Sequence, residues 1–212
     1  MKFITPIILC TLLSVPPAIP KAGAQECIPC AESCFPVVAV KTNMLYDAAL
    51  TPDFGIELGL VRKFSLSAEG VWAWWSKDAK HRYWRIYGGT LEGRFWFGHH
   101  ARQRALTGHH IGVYGALHSF DFEFGGTGYQ SPELTYGVGV SYGYSIRVSK
   151  RMNVDFGLSA GYAGGRLIKY HPECGLYICD RTSFNRYFGI TGAHITLVWF
   201  PGWNNHNLPD FP

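Results

Sequence analysis

Residues 134–148 read LTYGVGVSYGYSIRV, and this stretch is the clearest guide to the architecture of the chain. Its even-numbered positions, from Leu134 to Val148, are all apolar or aromatic, whereas its odd-numbered positions are glycine, serine, threonine and Arg147. A period of two residues is typical of a β-strand with one apolar and one polar face. The stretch is longer than the usual strand of a soluble protein and suits a tilted strand that crosses a membrane.

The same alternation recurs along the chain. Residues 152–162 repeat it after a connection of only 149–151, which predicts a hairpin. A second predicted hairpin turns at Arg62-Lys63. Eight antiparallel strands follow from this pattern within residues 37–200: 37–46, 54–60, 64–68, 83–97, 110–120, 134–148, 152–162 and 192–200. The sequence therefore predicts an all-β, eight-stranded transmembrane β-barrel of the outer-membrane type.

Short and long connections alternate between these strands, as they do in outer-membrane barrels. Residues 62–63, 98–108 and 149–151 are assigned to the periplasm, although 98–108 is long for a periplasmic turn. The external connections are predicted at 47–53, 75–82, 121–133 and 164–185. No helix is predicted.

Composition and the N-terminus indicate export. Charged residues make up 16% of the 212 residues, below the usual share of about a quarter. Residues 1–24 have a basic start, an apolar run and a small-residue Ala-Gly-Ala end, which predicts a cleaved signal peptide. Residues 25–36 form a cysteine-containing periplasmic leader, and 201–212 a C-terminal tail. The net charge of +4 comes from scattered residues without a basic stripe, so nucleic-acid binding is not expected.

The polar face of the strands is predicted to fill the barrel interior. An eight-stranded barrel is only wide enough for side chains, so a wide aqueous channel is not expected. Buried charges are tolerated when they are paired and hydrogen-bonded. Three basic and four acidic side chains fall on the predicted inner face and form a lumen charge network: Lys41, Glu57, Glu69, Glu92, Arg94, Arg147 and Asp155.

The apolar face is predicted to meet lipid. In a soluble ligand-binding barrel the apolar face points inward, and the other face must suit water. Here the polar face is mainly glycine, serine and threonine, and aromatic residues such as Trp72, Trp84 and Trp199 lie near strand ends. Aromatic girdles at both interfaces are expected of membrane barrels. We therefore expect localisation in the outer membrane, with lipid and lipopolysaccharide as contacts.

The cysteines suggest disulfide bonds rather than a cofactor site. Cys174 and Cys179 are close enough to staple one loop tip, and export permits a disulfide. Cys27, Cys30 and Cys34 have a spacing that suggests metal or redox chemistry, but a fourth ligand is missing. A local disulfide with one spare thiol is favoured, and its pairing stays open. We expect no cofactor and no metal.

One predicted external loop contains residue types that could catalyse a reaction. Ser76, Asp78 and His81 supply a hydroxyl, a carboxylate and an imidazole, which are the groups that acyl transfer uses. Some outer-membrane barrels modify lipid A, so a lipid A acyltransferase or deacylase is the alternative function. A solvated polar loop explains the same residues, and no catalytic residue is assigned.

Several histidines are candidate metal ligands or core residues. His194 and Thr196 on the last strand are expected inside the barrel, in a hydrogen-bond network with a partner such as Glu92. The pairs at 99–100 and 109–110 bracket one periplasmic connection and suit a transition metal. Nothing in the sequence fixes their geometry.

Residues 40–52, VKTNMLYDAALTP, resemble the opening of the DUF3575 family of Bacteroidetes proteins. The match continues through FGIELG at 54–59, YGVGVSYGY at 136–144 and WFP at 199–201. The resemblance covers about residues 36–202 and implies the location and fold more than an activity. Members tend to accompany components of surface fimbriae, which implies an assembly or anchoring role with such proteins as partners. The cysteines of the leader and of the 164–185 loop depart from the family pattern.

These observations together predict a non-enzymatic outer-membrane barrel with a structural or interaction role, of which surface-appendage assembly is one form. A surface adhesin is a further alternative, because external loops can bind host or partner proteins.

Overall fold

The computed structural model describes residues 36–77, 81–173 and 176–202, leaving aside the side chain of Gln103. The predicted signal peptide, nearly all of the leader and the tail beyond residue 202 lie outside the described residues. In chain order the elements are β1 Val37–Asn43, α1 Met44–Ala48, β2 Asp53–Val61, β3 Phe64–Lys77, β4 Arg82–Phe97, α2 His99–Gln103, β5 Gly108–Phe124, β6 Gly128–Gln130, β7 Thr135–Ser149, β8 Met152–Glu173 and β9 Leu176–Trp199. No helix in this part of the chain has the length and apolar character to cross a membrane.

The nine strands of the described residues belong to one antiparallel sheet, which confirms the all-β class. Pairing runs in sequence from β1 to β5, then from β5 to β7, β8 and β9, and β9 pairs with β1. These eight strands, here called the ring, therefore each have a partner at both edges. The ninth strand, β6, has three residues and bridges β5 and β8 beyond the start of β7. Closure satisfies the backbone polar groups that an open edge would leave unpaired.

Side chains alternate strictly between the interior and the outer face of the ring. In β2, Glu57 is buried while its neighbours Ile56 and Leu58 are exposed. In β7, Ser141 is buried and Val140 and Tyr142 are exposed. The polar side chains thus face inward and the apolar ones outward, which is the reverse of a water-soluble core.

Apolar side chains fill the end of the ring where Val37 and Phe200 lie, here called the closed end. The β4–β5 connection contains α2, and Leu106 enters this end with its carbonyl accepting hydrogen bonds from Ser145 Oγ (3.0 Å) and Asn153 Nδ2 (2.8 Å). The length of the 98–108 connection is explained because the segment packs into the ring. The buried apolar group comprises Val37, Ala39, Trp96, Ala101, Leu106, Val198 and Phe200.

The opposite end of the ring is here called the open end, and the first strand reaches it at an earlier residue than predicted. Strand β1 stops at Asn43 rather than at residue 46, because the Asn43 side chain accepts a hydrogen bond from the Leu45 N–H and caps α1. The following turn is held by two indoles. Trp84 Nε1 donates to Thr51 Oγ1 (2.8 Å), and Trp75 Nε1 donates to the Leu50 carbonyl (2.6 Å).

The connection at 164–185, predicted as an external loop, is strand rather than loop over nearly all of its described residues. Strands β8 and β9 remain paired past the ring, and β8 continues for nine residues beyond its last pair with β7 at Gly164. Nine residues correspond to about 30 Å of strand. β-forming residues such as Tyr170 and Ile178 favour this pairing.

The loop predicted at 121–133 is also mostly strand. Strand β5 runs to Phe124, a turn follows at Gly125 and Gly126 with φ of +66° and +129°, and β6 starts at Gly128. Such φ values favour glycine. The strand segments beyond the ring at the open end, namely 82–86, 119–130, 165–173 and 176–186, are here called the extension.

Candidate functional site: a charged cluster and a cavity inside the ring

A cluster of polar side chains occupies the interior just above the apolar group of the closed end. Inward-facing positions on all eight ring strands contribute to it. These side chains, here called the charged cluster, are Lys41 (β1), Glu57 (β2), Glu69 (β3), Glu92 and Arg94 (β4), His110 (β5), Ser141 (β7), Asp155 (β8) and His194 (β9). The alternation of each strand, rather than one local motif, brings them together.

Glu57 lies between the two basic residues of the charged cluster. Its Oε2 is 3.2 Å from Lys41 Nζ and 3.2 Å from Arg94 Nη1. Its other oxygen, Oε1, accepts a hydrogen bond from Ser65 Oγ at 2.6 Å, and Trp96 Nε1 donates to that same hydroxyl at 2.8 Å. Glu57 is 1% exposed, so every interaction of this carboxylate is with protein. Such a charge is stable only while its partners remain in place.

Arg94 binds carboxylates from three strands at once. Its Nη2 is 2.7 Å from Glu92 Oε2, and its Nη1 is 3.0 Å from Asp155 Oδ2 in addition to Glu57. The planar guanidinium supplies several donors in a fixed geometry, which suits such a junction. Lys41 completes the set with Glu69 Oε1 at 2.8 Å and Ser67 Oγ at 3.1 Å.

Two histidines flank Asp155. His110 Nε2 lies 2.9 Å from Asp155 Oδ1, and His194 Nε2 lies 3.6 Å from Asp155 Oδ2. Both rings face glycines on neighbouring strands: a β-carbon on Gly143 would lie 2.6 Å from the His110 ring, and one on Gly157 would overlap the His194 ring. The glycines therefore make room for the imidazoles.

Six of the seven residues predicted for the lumen charge network meet in this cluster, and Arg147 does not. Arg147 lies near the closed end of β7, where its Nε donates to the Ser149 carbonyl at 3.2 Å. Arg147 is at an odd-numbered position of β7, like the inward-facing Ser141 and Ser145. It is half-buried at the end of the strand, away from the carboxylates of the charged cluster. With Arg147 outside, four acidic residues face two basic ones.

Above the charged cluster the interior opens into a cavity of about 180 Å³. Glu69, Glu92, Arg94 and His194 line its inner part, and Tyr46 and Asp53 lie where it approaches the open end. The interior is therefore apolar at the closed end, charged in the middle and hollow toward the open end.

Other predicted sites are not assembled by the described residues. Asp78 lies outside them; Ser76 pairs in register with Tyr83, and the ring of His81 packs against Tyr177. Cys179 is exposed in β9, whereas Cys174 lies outside the described residues, so their disulfide stays a prediction. The leader cysteines Cys27, Cys30 and Cys34 also lie outside.

The two histidine pairs that were predicted to suit a transition metal lie in different elements and do not form one site among the described residues. Residues 99 and 100 lie in α2, whereas His109 and His110 lie in β5 and face opposite sides of the sheet. His109 Nδ1 lies 2.9 Å from the Tyr142 hydroxyl on the outer face. His110, which sequence reasoning placed beside a connection, is instead fully buried in the charged cluster. Its even-numbered position, shared with inward Gly112 and Tyr114, is the signal that locates it. His194 is inside as expected, but it lies beside Asp155 rather than Glu92.

A separate buried carboxylate lies in the extension. Glu123 is fully buried, and neither carboxylate oxygen has a hydrogen-bond partner among the described residues. Tyr83 and Tyr170 are buried nearby, and Tyr83 Oη lies 2.5 Å from Tyr177 Oη. Burial raises the pKa of the Glu123 carboxyl above its ordinary value, and Asp121 adds to the rise while His81 opposes it.

Comparison with known proteins gives one match. A family model described as "Protein of unknown function (DUF3575)" covers residues 15–200. No curated protein and no solved structure matches the chain.

Proposed function

This chain belongs to the DUF3575 family, and we propose from the geometry of its strands that it is an eight-stranded transmembrane barrel of the outer membrane with a non-enzymatic structural or interaction role. The ring would cross the membrane, and the extension would project from the open end. The contacts would be outer-membrane lipid and lipopolysaccharide around the ring, and other envelope or surface-appendage proteins at the extension.

The observation that carries this proposal is the inverted burial of the ring. Large apolar side chains point away from it on successive strands, among them Leu91 (54% exposed), Val113 (68%) and Leu158 (58%). Lys41, Glu57 and Asp155 are each 1% exposed inside. A soluble monomer rarely exposes a continuous apolar patch beyond several hundred Å². Hydrocarbon accounts for such a surface, and it also demands the closed backbone pairing described above.

Aromatic side chains at the two borders of this apolar belt support a membrane position. Phe64, Phe97 and Trp199 lie toward the closed end, and Trp72 and Tyr87 toward the open end, all on the outer face. Interfacial rings of this kind are typical of outer-membrane barrels. In β3 the stretch from Phe64 to Trp72 is nine residues long, which is within the about 9–11 residues that a tilted span needs.

The filled interior favours an anchoring role over transport. The apolar group and the charged cluster occupy the ring in succession, and small eight-stranded barrels leave no aqueous channel once their interiors are filled. The extension then offers the surface for recognition. Its exposed side chains combine aromatics with arginines, including Tyr177, Phe184 and Arg186, and such residues are enriched where proteins associate.

Fractionation and gel mobility test the barrel. The full chain should be recovered with the outer membrane, and unheated samples should migrate as a compact folded form that boiling converts to the unfolded position. Recovery as a soluble protein without such a shift would overturn the membrane proposal.

Photo-crosslinking from two equally exposed positions tests the interaction role. A photoreactive residue at Leu176 (70% exposed, in the extension) should capture a protein in intact cells. The same residue at Val113 (68% exposed, in the ring) should capture lipid or lipopolysaccharide only. An absence of protein adducts from Leu176, with the folded gel form intact, would refute the interaction role and leave the barrel standing.

A further inference from the structure

We propose that His110, Asp155 and His194 form a binding site for one divalent first-row transition metal ion, of the zinc class, inside the ring. The site goes beyond the proposed anchoring role and does not depend on it. It also revises the expectation from sequence that the chain holds no metal.

The first support is convergence from three strands. One ligand atom from each of the three residues, on β5, β8 and β9, can be chosen so that all lie within 4.8 Å of one another. Two imidazole nitrogens and one carboxylate oxygen are a donor set that zinc and its neighbours accept. With bonds of about 2.0–2.1 Å, neighbouring ligands of a tetrahedral zinc lie roughly 3.3 Å apart. His110 Nε2 lies 2.9 Å from Asp155 Oδ1 and His194 Nε2 lies 3.6 Å from Asp155 Oδ2, so both imidazoles approach the same carboxylate at close to that spacing, each at a different oxygen.

The second support is an unpartnered nitrogen. His194 Nε2 is buried and has no hydrogen-bond partner among the described residues, yet it faces the Asp155 carboxylate. At 3.6 Å the two atoms are farther apart than in a normal hydrogen bond, so the nitrogen is not fully satisfied by this contact. A metal ion held by Asp155 Oδ1 between the two imidazoles would give this nitrogen a ligand bond.

The third support is the charge of the surroundings. The charged cluster contains four carboxylates, from Glu57, Glu69, Glu92 and Asp155, against two basic groups, from Lys41 and Arg94. An excess of two acidic groups in a buried cluster is costly. One divalent ion bound by neutral imidazoles would balance it.

Arg94 fixes how the carboxylate would bind. Its Nη1 contacts Asp155 Oδ2 at 3.0 Å, so Oδ1 is the oxygen left for the metal. An outer group that orients a ligating carboxylate is typical of protein metal sites. The ion would enter from the open end, because His194 lines the cavity and the closed end is filled by apolar side chains.

Metal titration of the refolded full chain in detergent tests the site. The cysteines are alkylated first, and the protein carries no histidine tag, so that neither supplies ligands. After chelator treatment and dialysis, Zn²⁺ should bind at one ion per chain. Co²⁺ should give the visible absorption of a site with fewer than six ligands, and Zn²⁺ should abolish it and raise the urea midpoint of unfolding.

His194→Gln is the decisive variant, and His109→Gln is its matched control, since His109 adjoins His110 in β5 but faces outward. Loss of an outer-shell partner weakens metal binding about 10–100-fold, so H194Q should weaken it by about 100-fold or more while keeping the folded gel form. H109Q should bind as the parent does. If the folded parent chain binds no stoichiometric ion, or if H194Q binds Zn²⁺ as tightly as the parent, the proposal is wrong.

Discussion

The ring and the extension are built from the same strands, β4, β5, β8 and β9, but they differ in which side chains they expose. Along the middle of the ring, outward positions are mainly apolar and inward positions are mainly polar. In the extension this rule ends: β9 from Leu176 to Phe188 is almost entirely exposed and mixes aromatic with charged residues. Alternation of apolar and polar residues therefore indicates that the two faces of a sheet meet different environments. It is not a property of every β-strand. Where both faces of a strand meet water, the sequence pattern weakens although the backbone pairing continues.

The two regions also treat charge differently. Arg94 is 3% exposed and contacts carboxylates on β2, β4 and β8. Arg166 in the extension pairs with Glu133 at 3.2 Å, its one carboxylate partner among the described residues, and the two side chains are 58% and 64% exposed. The largest expected effect in the molecule is therefore a loss of stability when a buried cation is removed from the ring.

Arg94→Met should lower the free energy of unfolding by about 3–5 kcal/mol, because it removes the cation from the buried carboxylates of Glu92 and Asp155 and leaves Glu57 with Lys41 alone. Arg166→Met should cost about 0–1 kcal/mol, because water already screens that pair. Urea unfolding of the two variants in lipid vesicles, followed by gel mobility, measures both values. If R94M does not fold at all, adding E92Q and D155N should restore the folded form. Equal, small losses for R94M and R166M would contradict a tightly paired cluster.

Val113→Arg compares the two surfaces at matched exposure. The substitution places a cation on the belt that we propose faces lipid, and it should cost about 2–4 kcal/mol if Val113 lies near the bilayer midplane. Leu176→Arg adds the same charge at a site of similar exposure in the extension, and it should change stability by no more than about 0.5 kcal/mol. The same vesicle unfolding assay applies. A cost at Val113 no greater than at Leu176 would place water, not lipid, around the ring.

Glu123→Gln gives the smallest expected effect and concerns the extension alone. Since burial holds the pKa of Glu123 above its ordinary value, its contribution to stability is present at low pH and is lost as the pH rises through the raised pKa. The extension should therefore be cut by protease more readily as the pH rises through the raised pKa of Glu123. E123Q should remove this dependence, while Glu133→Gln, at an exposed glutamate, should keep it. A pH dependence that E123Q leaves unchanged would assign it to another group.

The sequence predicted the ring better than the extension for a physical reason. Lys41, Glu57, Glu92, Arg94 and Asp155 were located by parity alone, because each sits on the polar side of an alternating strand. Parity does not say how far along the ring axis a side chain lies, so Arg147 was included although it ends beside Ser149 at the closed end.

Elements set by local hydrogen bonds were missed for a different reason. The Asn43 cap and α1 interrupt β1 although the apolar pattern continues through Leu45 and Tyr46. Contacts between distant strands, such as His110 with Asp155, depend on the register of the closed sheet, which a single strand pattern does not define.

The connection that fills the closed end also constrains the order in which the protein assembles. The Leu106 carbonyl is held by Ser145 and Asn153, which lie 39 and 47 residues later in the chain. The Leu106 carbonyl can form these hydrogen bonds only after β7 and β8 have joined the sheet. The pairing of β1 with β9 forms later still, because it joins Val40 to Trp199. Contacts between residues this distant in sequence form late, because the chain loses the entropy of the closed loop before the contacts stabilise it. Leu106 is therefore a kinetic marker: its burial should report that the second half of the sheet is in place before the final seam closes.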